Sequence, residues 1–366
     1  MENVKVFYLV YGLTSGGIER YSVNLYKHMD KTNIQMDFIV KSSKKEFFDD
    51  QLKEAGGKKV SLESKKRGKI SYLKNVFKIA NNGYNVAYFN LSAPAAAFKY
   101  PLICRLVGIK KIIIHSHNSN EDEQNFQKRF INWIARKYIN RICTVKFACS
   151  DKAASWMFGK KESKNCILIN NGIEIEKFSF DENVRNKMRL EFECEEKTVI
   201  LGHVGRFVQQ KNHKFLIDVF ESFVKINSDA KLVLIGIGPL KNEIEKIVKV
   251  KKLEDKVLFL GEKSNINEYM QAMDVFLLPS LYEGLPIVGI EAQASGLKCF
   301  FSDVITKDAD ITGNIEYISL NKCADYWAQK INEISRYKRI KQDESIIKNG
   351  FDIDSTAQLV REYILQ

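Results

Sequence analysis

Two carboxylates eight residues apart, with glycine and proline between them, form the strongest chemical pattern in the sequence. Residues 279–292 read PSLYEGLPIVGIEA, and the two carboxylates are Glu283 and Glu291. Pro286 suits the first turn of a helix, which places Glu283 in a loop and Glu291 in the second helical turn. Carboxylates accept hydrogen bonds from sugar hydroxyls, and the free amides after Glu283 form an anion site. The pattern predicts a site for a sugar nucleotide; a capped helix with a glutamate on its face is the alternative.

Two cations follow an apolar run earlier in the chain. Gly205 ends this run, Arg206 comes next, and Lys211 is five residues further on. Arginine offers a fork of donors and lysine a point charge, so the pair could hold a diphosphate and stabilise it as a leaving group. The alternative is a pair of solvated surface cations.

Two further patterns lie in the first half. His115 and His117 end an apolar run and face the same side of a strand, where they could bind a metal or a sugar. A metal needs a third ligand, and none is suitably spaced. Gly16 and Gly17 precede a helical pattern and permit close approach of a backbone or an anion, or simply make a tight turn. They are not part of a GxGxxG dinucleotide motif.

The elements that position these residues follow from the hydrophobic pattern. Six apolar, β-rich runs lie between Val4 and Asn170 and six between Val199 and Ser319, each series alternating with helical patterns. Such alternation predicts an α/β fold of two doubly wound parallel sheets. We expect an N-terminal domain over 1–178, a C-terminal domain over 179–350, and a C-terminal helix over 351–366 that can cross back to the first domain. Ligands of such sheets bind beyond the carboxyl ends of the strands, where all the candidate residues occur.

Composition narrows the class of protein. The chain has 366 residues, 45% of them hydrophobic, and no apolar run approaches the ~20 residues of a transmembrane helix. Its N-terminus resembles a first strand rather than a signal peptide, and the seven cysteines form no CxxC pair. These observations predict a cytoplasmic protein without a disulfide framework or a zinc knuckle.

The positive charge is concentrated in the first half. Residues up to Phe178 include 31 basic and 16 acidic side chains, against 26 and 29 afterwards. Two segments, Lys58–Lys69 and Lys128–Arg141, combine clustered lysine and arginine with apolar or aromatic residues within or next to them. This pattern favours peripheral association with the anionic inner face of the plasma membrane. No nucleic-acid motif occurs, so we expect no nucleic-acid partner.

The joint pattern resembles glycosyltransferase family 4, retaining enzymes of the GT-B architecture, and among them bacterial capsular and exopolysaccharide transferases. The family's motifs occur in the family's order across nearly the whole chain, namely Gly16-Gly17, Asn171-Gly172-Ile173, Gly205-Arg206 with Lys211, Gly236-Ile237-Gly238-Pro239, and Glu283 with Glu291. The resemblance implies two Rossmann-like domains facing across a cleft, the first for an acceptor and the second for a nucleotide sugar.

The resemblance also implies roles for individual residues. Arg206 and Lys211 would grip the donor diphosphate, Glu283 would hold the transferred sugar, and Glu291 would bind the ribose hydroxyls. The family's strand-end histidine, which contacts the sugar, is similar to His117, with His115 as the alternative. The remaining donor-binding positions are backbone or close-approach positions at Gly16, Gly17, Gly205, Gly238, Gly284, Leu285, Pro286 and Ile287.

The expected reaction is transfer of a sugar, with retention, from a nucleotide diphosphate to a saccharide or lipid-linked saccharide acceptor. Uridine diphosphate sugars are the default donor on family frequency, and neither a metal nor another cofactor is expected. The Asp308-Ala309-Asp310 and Asp352-Ile353-Asp354 triplets are not assigned to a metal, and the second is typical of a helix N-cap. Two alternatives stay open: a sugar-nucleotide epimerase or hydrolase of the same architecture, and a non-catalytic subunit that binds a partner.

Overall fold

The structure is a computed structural model that describes residues 3–63, 68–117, 126–334 and 337–366. It divides into two compact units, one formed by Met1–Ile173 with Gly350–Gln366 and the other by Glu174–Asn349. The C-terminal residues therefore belong to the same unit as the N-terminal half.

The first unit alternates strands and helices. Its strands are β1 (Val4–Leu9), β2 (Ile34–Val40), β3 (Lys58–Ser61), β4 (Val86–Leu91), β5 (Lys111–Ser116), β6 (Val145–Ala148) and β7 (Ile167–Leu168). Its helices are α1 (Gly17–His28), α2 (Asp49–Glu54), α3 (Lys69–Ala80), α4 (Tyr100–Leu106), α5 (Phe126–Ile142), α6 (Asp151–Phe158) and, at the C-terminus, α15 (Ile353–Leu365). The intervening helices α7–α14 belong to the second unit.

The sheet of the first unit is parallel and doubly wound. Its strand order is β3-β2-β1-β4-β5-β6-β7, so the order reverses between β1 and β4. The central strands are buried on both faces, as the near-continuous apolar sequence of β1 (VKVFYL) and β4 (VAYFNL) requires. Two apolar clusters cover the two faces of the sheet. A ligand site is expected at the reversal, beyond the carboxyl ends of β1 and β4.

The second unit repeats this plan. Its strands are β8 (Val199–Val204), β9 (Ala230–Ile235), β10 (Val257–Gly261), β11 (Val275–Leu278), β12 (Lys298–Ser302) and β13 (Ile315–Ile318). Its helices are α7 (Ile175–Phe178), α8 (Glu182–Glu191), α9 (His213–Ile226), α10 (Lys241–Val250), α11 (Ile266–Ala272), α12 (Ile287–Ala294), α13 (Ala324–Ile334) and α14 (Asp343–Lys348). The strand order is β10-β9-β8-β11-β12-β13, with the reversal between β8 and β11.

The border between the units lies before α7, whereas the sequence placed it after this helix. Ile175 and Phe178 are 7% exposed, and α7 packs against α11, α12 and α14 of the second unit. The charged stretch between β7 and β8 contains α7 and α8, and Asp181 caps α8 by accepting from the amides of Asn183 and Val184. The sequence also missed β3, a short edge strand that begins with two lysines.

Helix α15 packs into the core of the first unit. Its side chains Ile353, Ala357, Val360 and Ile364 lie in the same apolar cluster as β1 and β2. The Lys111 ammonium donates to the Ile364 carbonyl at 3.2 Å, and the Tyr363 ring packs edge-on against Phe147. Gly172 permits the approach of this segment, because a Cβ there would lie 2.7 Å from the Ile353 Cα. In the part of the chain that the structure describes, no helix has the length and hydropathy to span a bilayer.

Candidate functional site

The Glu283 carboxylate is held by three side chains in the second unit. It lies in the loop between β11 and α12, and its side chain is 9% exposed. Its Oε1 accepts from the Lys211 ammonium at 2.5 Å and from the Ser280 hydroxyl at 2.8 Å. Its Oε2 accepts from the Gln210 amide at 3.3 Å. The carboxylate is therefore fixed at the carboxyl edge of the sheet before any ligand arrives.

The loop after β8 is tied to the Glu283 loop by its backbone as well. The Leu281 amide donates to the Gln210 carbonyl at 2.8 Å, and the Asn212 side-chain amide donates to the Pro279 carbonyl at 3.2 Å. Asn212 adopts a left-handed conformation (φ 55°) between a 3₁₀ turn and α9. Strand order explains the contact, because β8 and β11 are neighbours although about 70 residues separate them.

Arg206 lies in the same loop as Lys211 but differs from it in environment. Lys211 is largely buried (15% exposed) and paired with Glu283, whereas Arg206 is exposed. In the residues that the structure describes, no carboxylate lies within 4 Å of the Arg206 guanidinium. The guanidinium is thus available to an anion, and the ammonium is already positioned next to Glu283.

Helix α12 directs unpaired amides towards the same edge. Pro286 is its N-cap, and the Gly289 amide donates to the Pro286 carbonyl at 2.9 Å. Among the described residues, the amides of Gly284, Leu285 and Ile287 have no acceptor. Such amides at a helix start bind anions. Glu291 lies in the second turn, as the spacing predicts, and it is only 3% exposed.

The glycines of the β9–α10 turn lie against the backbone of the β8 loop. A Cβ on Gly238 would lie 2.5 Å from the Phe207 carbonyl oxygen, and a Cβ on Gly236 would overlap the Gly205 carbonyl. The Phe207 amide donates to the Ile237 carbonyl at 3.0 Å. Only glycine at these positions lets the two loops meet, so Gly205, Gly236 and Gly238 shape the site through backbone packing.

His115 and His117 belong to the first unit, at the end of β5. Their ring centroids are 3.9 Å apart and the ring planes are tilted by 35°. His115 is fully buried and hydrogen-bonded to the Tyr88 hydroxyl at 2.8 Å, whereas His117 is partly exposed. His117 Nε2 donates to the Asn90 side-chain oxygen Oδ1 at 2.8 Å, because the Asn90 side-chain nitrogen Nδ2 itself donates to the Leu9 carbonyl. Its Nδ1 lies 3.1 Å from the Asn171 side chain. Burial lowers the pKa of His117 to about 4, so the ring is neutral at pH 7.

Gly16 and Gly17 also belong to the first unit. Gly16 is the N-cap of α1, and Gly17 is its first residue. A Cβ on Gly17 would meet no described atom within 4 Å. The loop therefore presents open backbone at a helix start, and the structure gives Gly17 no packing role.

The two Asp-x-Asp triplets are occupied by turn and cap contacts. Asp308 accepts from the Thr306 hydroxyl at 2.9 Å, and Asp310 accepts from the Gly313 amide at 2.9 Å. Asp352 caps α15 by accepting from the Asp354 and Ser355 amides. Among the described residues, no group of three His, Cys, Asp or Glu side chains could hold a metal ion.

The structure therefore brings the second-unit candidates together on three neighbouring loops, and it places Gly16, Gly17 and His117 in the first unit. The sequence did not single out Gln210, Ser280 or Asn90 as site residues. Uncharged polar side chains follow no spacing rule. Gln210 precedes the selected Lys211 and Ser280 lies three residues before Glu283, whereas Asn90 is near no selected residue in the sequence.

Comparison with known proteins identifies the family. The family model described as glycosyl transferases group 1 matches residues 184–352. A Bacillus subtilis chain named glycosyltransferase EpsF is 32% identical over 357 residues, covering 95% of this chain and 93% of that one. An Escherichia coli UDP-Gal:alpha-D-GlcNAc-diphosphoundecaprenol alpha-1,3-galactosyltransferase is 23% identical, covering 79% of this chain and 76% of that one.

Solved structures identify the fold. Anabaena HepE in complex with UDP and glucose superimposes with a TM-score of 0.81 at 17% identity, covering 99% of this chain and all of that one. This likeness confirms the GT-B architecture of two Rossmann-like units that the sequence predicted. Together with the extent of the EpsF match, it confirms the family resemblance: the chain is a glycosyltransferase and belongs to the group 1 glycosyltransferases.

Proposed function

We propose that this enzyme moves a sugar, with retention, from a UDP-sugar to a lipid-linked saccharide acceptor in cell-envelope polysaccharide synthesis. The observation that carries the proposal is the juxtaposition of Lys211, Glu283 and the unpaired amides at the start of α12. A cation next to free amides suits the diphosphate of a nucleotide, and a fixed carboxylate suits the hydroxyls of its sugar.

Charge stabilisation is the main catalytic contribution in this proposal. When the glycosidic bond breaks, negative charge develops on the departing diphosphate. Arg206, Lys211 and the α12 amides hold positive charge in place to stabilise it. The acceptor oxygen then bonds to the anomeric carbon on the face that the diphosphate leaves, and a diphosphate oxygen takes the acceptor proton. The configuration at the anomeric carbon is therefore retained. Glu283 orients the sugar, and Glu291 binds the ribose hydroxyls.

His117 is the better candidate than His115 for the sugar contact. His117 is partly exposed and stands at the strand end, whereas His115 is fully buried beneath it. Because His117 is neutral and its Nε2–H donates to Asn90, its contact with the sugar is a hydrogen bond that a sugar hydroxyl donates to Nδ1 in place of the Asn171 contact. Replacing His117 by alanine should raise the donor KM, while His115→Phe should act on stability instead.

We propose that transfer requires no divalent cation. Arg206 and Lys211 already supply the positive charge that a metal would bring to the diphosphate. Activity in excess EDTA tests this point. Full activity is expected, and loss that only Mg²⁺ or Mn²⁺ restores would overturn it.

The nature of the donor and the acceptor rests on the relatives. The galactosyltransferase named above uses a UDP-sugar and an undecaprenol diphosphate acceptor, and HepE was crystallised with UDP and glucose. Incubating the enzyme with UDP-sugars and a lipid-diphosphate saccharide, with product analysis by mass spectrometry, tests the proposal. A new glycosidic product is expected. Conversion of the donor in the absence of acceptor would favour the epimerase, and absence of nucleotide binding would favour the non-catalytic subunit.

We also propose that the first unit docks on an anionic membrane. This unit holds 31 basic and 17 acidic residues. On α5, Phe126 is 84% exposed, and the exposed Trp133 stacks with Phe130 and lies under the Lys137 ammonium at 3.8 Å. Exposed apolar side chains flanked by cations are typical of helices that lie in a lipid interface.

Helix α3 presents a second exposed apolar stripe, formed by Ile70, Leu73 and Phe77. The basic residues Lys65, Lys66 and Arg67 that precede it lie outside the described residues. Flotation with vesicles of phosphatidylglycerol or phosphatidylcholine tests the docking proposal. The enzyme should float with the anionic vesicles, and equal behaviour with both would overturn the proposal.

A further inference from the structure

Two lysines of the first unit lie over tyrosine rings without a carboxylate partner. Lys41 follows β2, and its ammonium nitrogen lies 4.4 Å from the centroid of the Tyr11 ring. Lys99 precedes α4, and its nitrogen lies 4.4 Å from the Tyr72 ring and 5.0 Å from the Tyr100 ring. Both lysines are exposed, so their charges face solvent while the aromatic rings support them from below.

The aromatic rings join the two lysines into one cluster. The Tyr72 and Tyr100 hydroxyls are 2.8 Å apart and hydrogen-bonded, and the Tyr11 and Tyr100 rings meet with centroids 6.0 Å apart. Tyr100 is only 2% exposed, so the base of the cluster is part of the core. We call Tyr11, Lys41, Tyr72, Lys99 and Tyr100 the tyrosine–lysine cluster.

The charge of the cluster is not balanced within the protein. Among the residues that the structure describes, no carboxylate lies within 4 Å of either ammonium group. Burial lowers the pKa of Lys99, and the nearby positive charge of Lys41 lowers it further. Two positive charges that repel each other are stabilised when an anion binds between them. Elsewhere in this unit lysines pair with acids, as Lys59 does with Asp49 at 2.8 Å.

The cluster stands where a doubly wound sheet binds its ligand. Tyr11 follows β1, Lys41 follows β2, and Lys99 and Tyr100 follow β4. These strands are neighbours in the order β2-β1-β4, which spans the reversal of strand order. Ligands of open α/β sheets bind beyond the carboxyl ends of the strands at this point.

Apolar side chains border the cluster. Tyr72 belongs to α3, whose exposed stripe includes Leu73. Phe98, next to Lys99, is 39% exposed and stacks on Tyr138 of α5. A lipid-linked phosphate could therefore contact the lysines with its phosphate and the neighbouring apolar side chains with its lipid. A free inorganic phosphate would contact the lysines alone.

We propose that the tyrosine–lysine cluster binds the diphosphate of the lipid-linked acceptor. The two ammonium groups act as point charges for the phosphate oxygens, and the Tyr72 hydroxyl is a further donor at its edge. This inference rests on the proposed function, because it assigns the anionic group of the acceptor to named residues. It concerns the first unit and is separate from the donor diphosphate residues Arg206 and Lys211.

Calorimetric titration with geranyl diphosphate tests the proposal directly. The titration is made with saturating UDP, so that the donor residues are occupied, and geraniol serves as the uncharged probe. The double variant Lys41→Gln/Lys99→Gln should bind geranyl diphosphate at least about tenfold more weakly than wild type, since hydrogen bonds to charged groups are lost. Geraniol binding should not change between the two proteins.

Lys58→Gln/Lys110→Gln is the matched control. It removes the same charge from exposed positions at the amino ends of β3 and β5, the opposite edge of the same sheet. This control should retain wild-type affinity. Equal affinity of the Lys41/Lys99 variant and wild type, or equal weakening in both double variants, would overturn the proposal. If the Lys41/Lys99 variant does not fold, the single variants Lys41→Gln and Lys99→Gln decide by the same criterion.

Two further measurements separate the possible causes of a failure. The Lys41/Lys99 variant should still float with phosphatidylglycerol vesicles; loss of flotation with unchanged geranyl diphosphate affinity would assign the cluster to lipid headgroups and overturn the proposal. Wild type and variant should bind UDP equally. Absence of UDP binding in wild type would count against the proposed function, while the comparison of geranyl diphosphate affinities would still decide the role of the cluster.

Discussion

Replacing Lys211 by methionine tests the charge-stabilisation mechanism most sharply among single substitutions. The change removes the ammonium but keeps most of the aliphatic chain. The Lys211 nitrogen lies 2.5 Å from Glu283 Oε1, and both side chains are less than a sixth exposed (15% and 9%). Ser280 and Gln210 still hold the carboxylate in the variant, so the loop should keep its conformation.

The Lys211→Met variant lacks one fixed positive charge that would stabilise the leaving diphosphate. Removing one such stabilising contact costs about 3 kcal/mol of transition-state stabilisation, which is a decrease of about 10²-fold or more in kcat. The rate of UDP release in the presence of acceptor measures the effect, with a thermal melt to confirm that the variant folds. Lys214→Met is the matched control, because Lys214 is 60% exposed and pairs on the surface with Glu243. It should leave kcat close to wild type, because Lys214 lies on the surface and its exposed ion pair contributes only up to about 1 kcal/mol, and that to folding stability.

The double variant Lys211→Met/Glu283→Gln separates catalysis from charge balance. If Lys211 only neutralises Glu283, the double variant has the same kcat as the Glu283→Gln single variant. If Lys211 stabilises the leaving diphosphate, the double variant is at least as impaired as Lys211→Met. A double variant as active as Glu283→Gln alone, or a Lys211→Met rate close to that of Lys214→Met, would refute the reasoning.

Three further predictions follow from the same contacts. Gln210→Ala should raise the donor KM about tenfold with little change in melting temperature. The substitution removes one hydrogen bond from the Glu283 carboxylate and one from the Tyr282 carbonyl. An unchanged KM would contradict the role of Gln210 in positioning Glu283. Gly238→Ala should destabilise the second unit, because its Cβ would overlap the Phe207 carbonyl at 2.5 Å, and urea unfolding should show the loss. His213 is 2% exposed and burial lowers its pKa to about 4, so the unfolded chain binds its proton first as the pH falls from about 6.5. The free energy of unfolding should therefore decrease towards pH 4, and His213 accounts for up to about 3 kcal/mol of that decrease. The variant His213→Phe should show a smaller decrease. An identical pH profile in wild type and variant would contradict the lowered pKa of His213.

The architecture was accessible from the sequence because it depends on local patterns. Apolar runs such as VILGHV give β8 its bounds, and helical spacing gives α9 its core-facing side. Strand β3 was missed because its two lysines belong to an edge strand, where one side faces solvent and the apolar signal is weak. Helices α7 and α8 were missed because their sequence is charged, and Asp181 provides the cap that defines where α8 starts.

The candidate residues were accessible one by one, but their contacts were not. Nothing in the sequence indicates that Lys211 pairs with Glu283, because that contact depends on β8 and β11 being neighbours in the sheet. The period-two rule correctly placed His115 and His117 on one side of β5, yet only the structure shows that one is buried and the other partly exposed. The tyrosine–lysine cluster joins residues from four separate segments, so no local pattern could predict it.

A calorimetric comparison of UDP with uridine tests the central claim most directly. If a guanidinium, an ammonium and helix amides grip the diphosphate, wild type should bind UDP far more tightly than uridine. The double variant Arg206→Ala/Lys211→Ala should lose most of that difference while its uridine affinity stays the same. Equal binding of UDP and uridine by wild type, or a difference that survives in the double variant, would contradict the account.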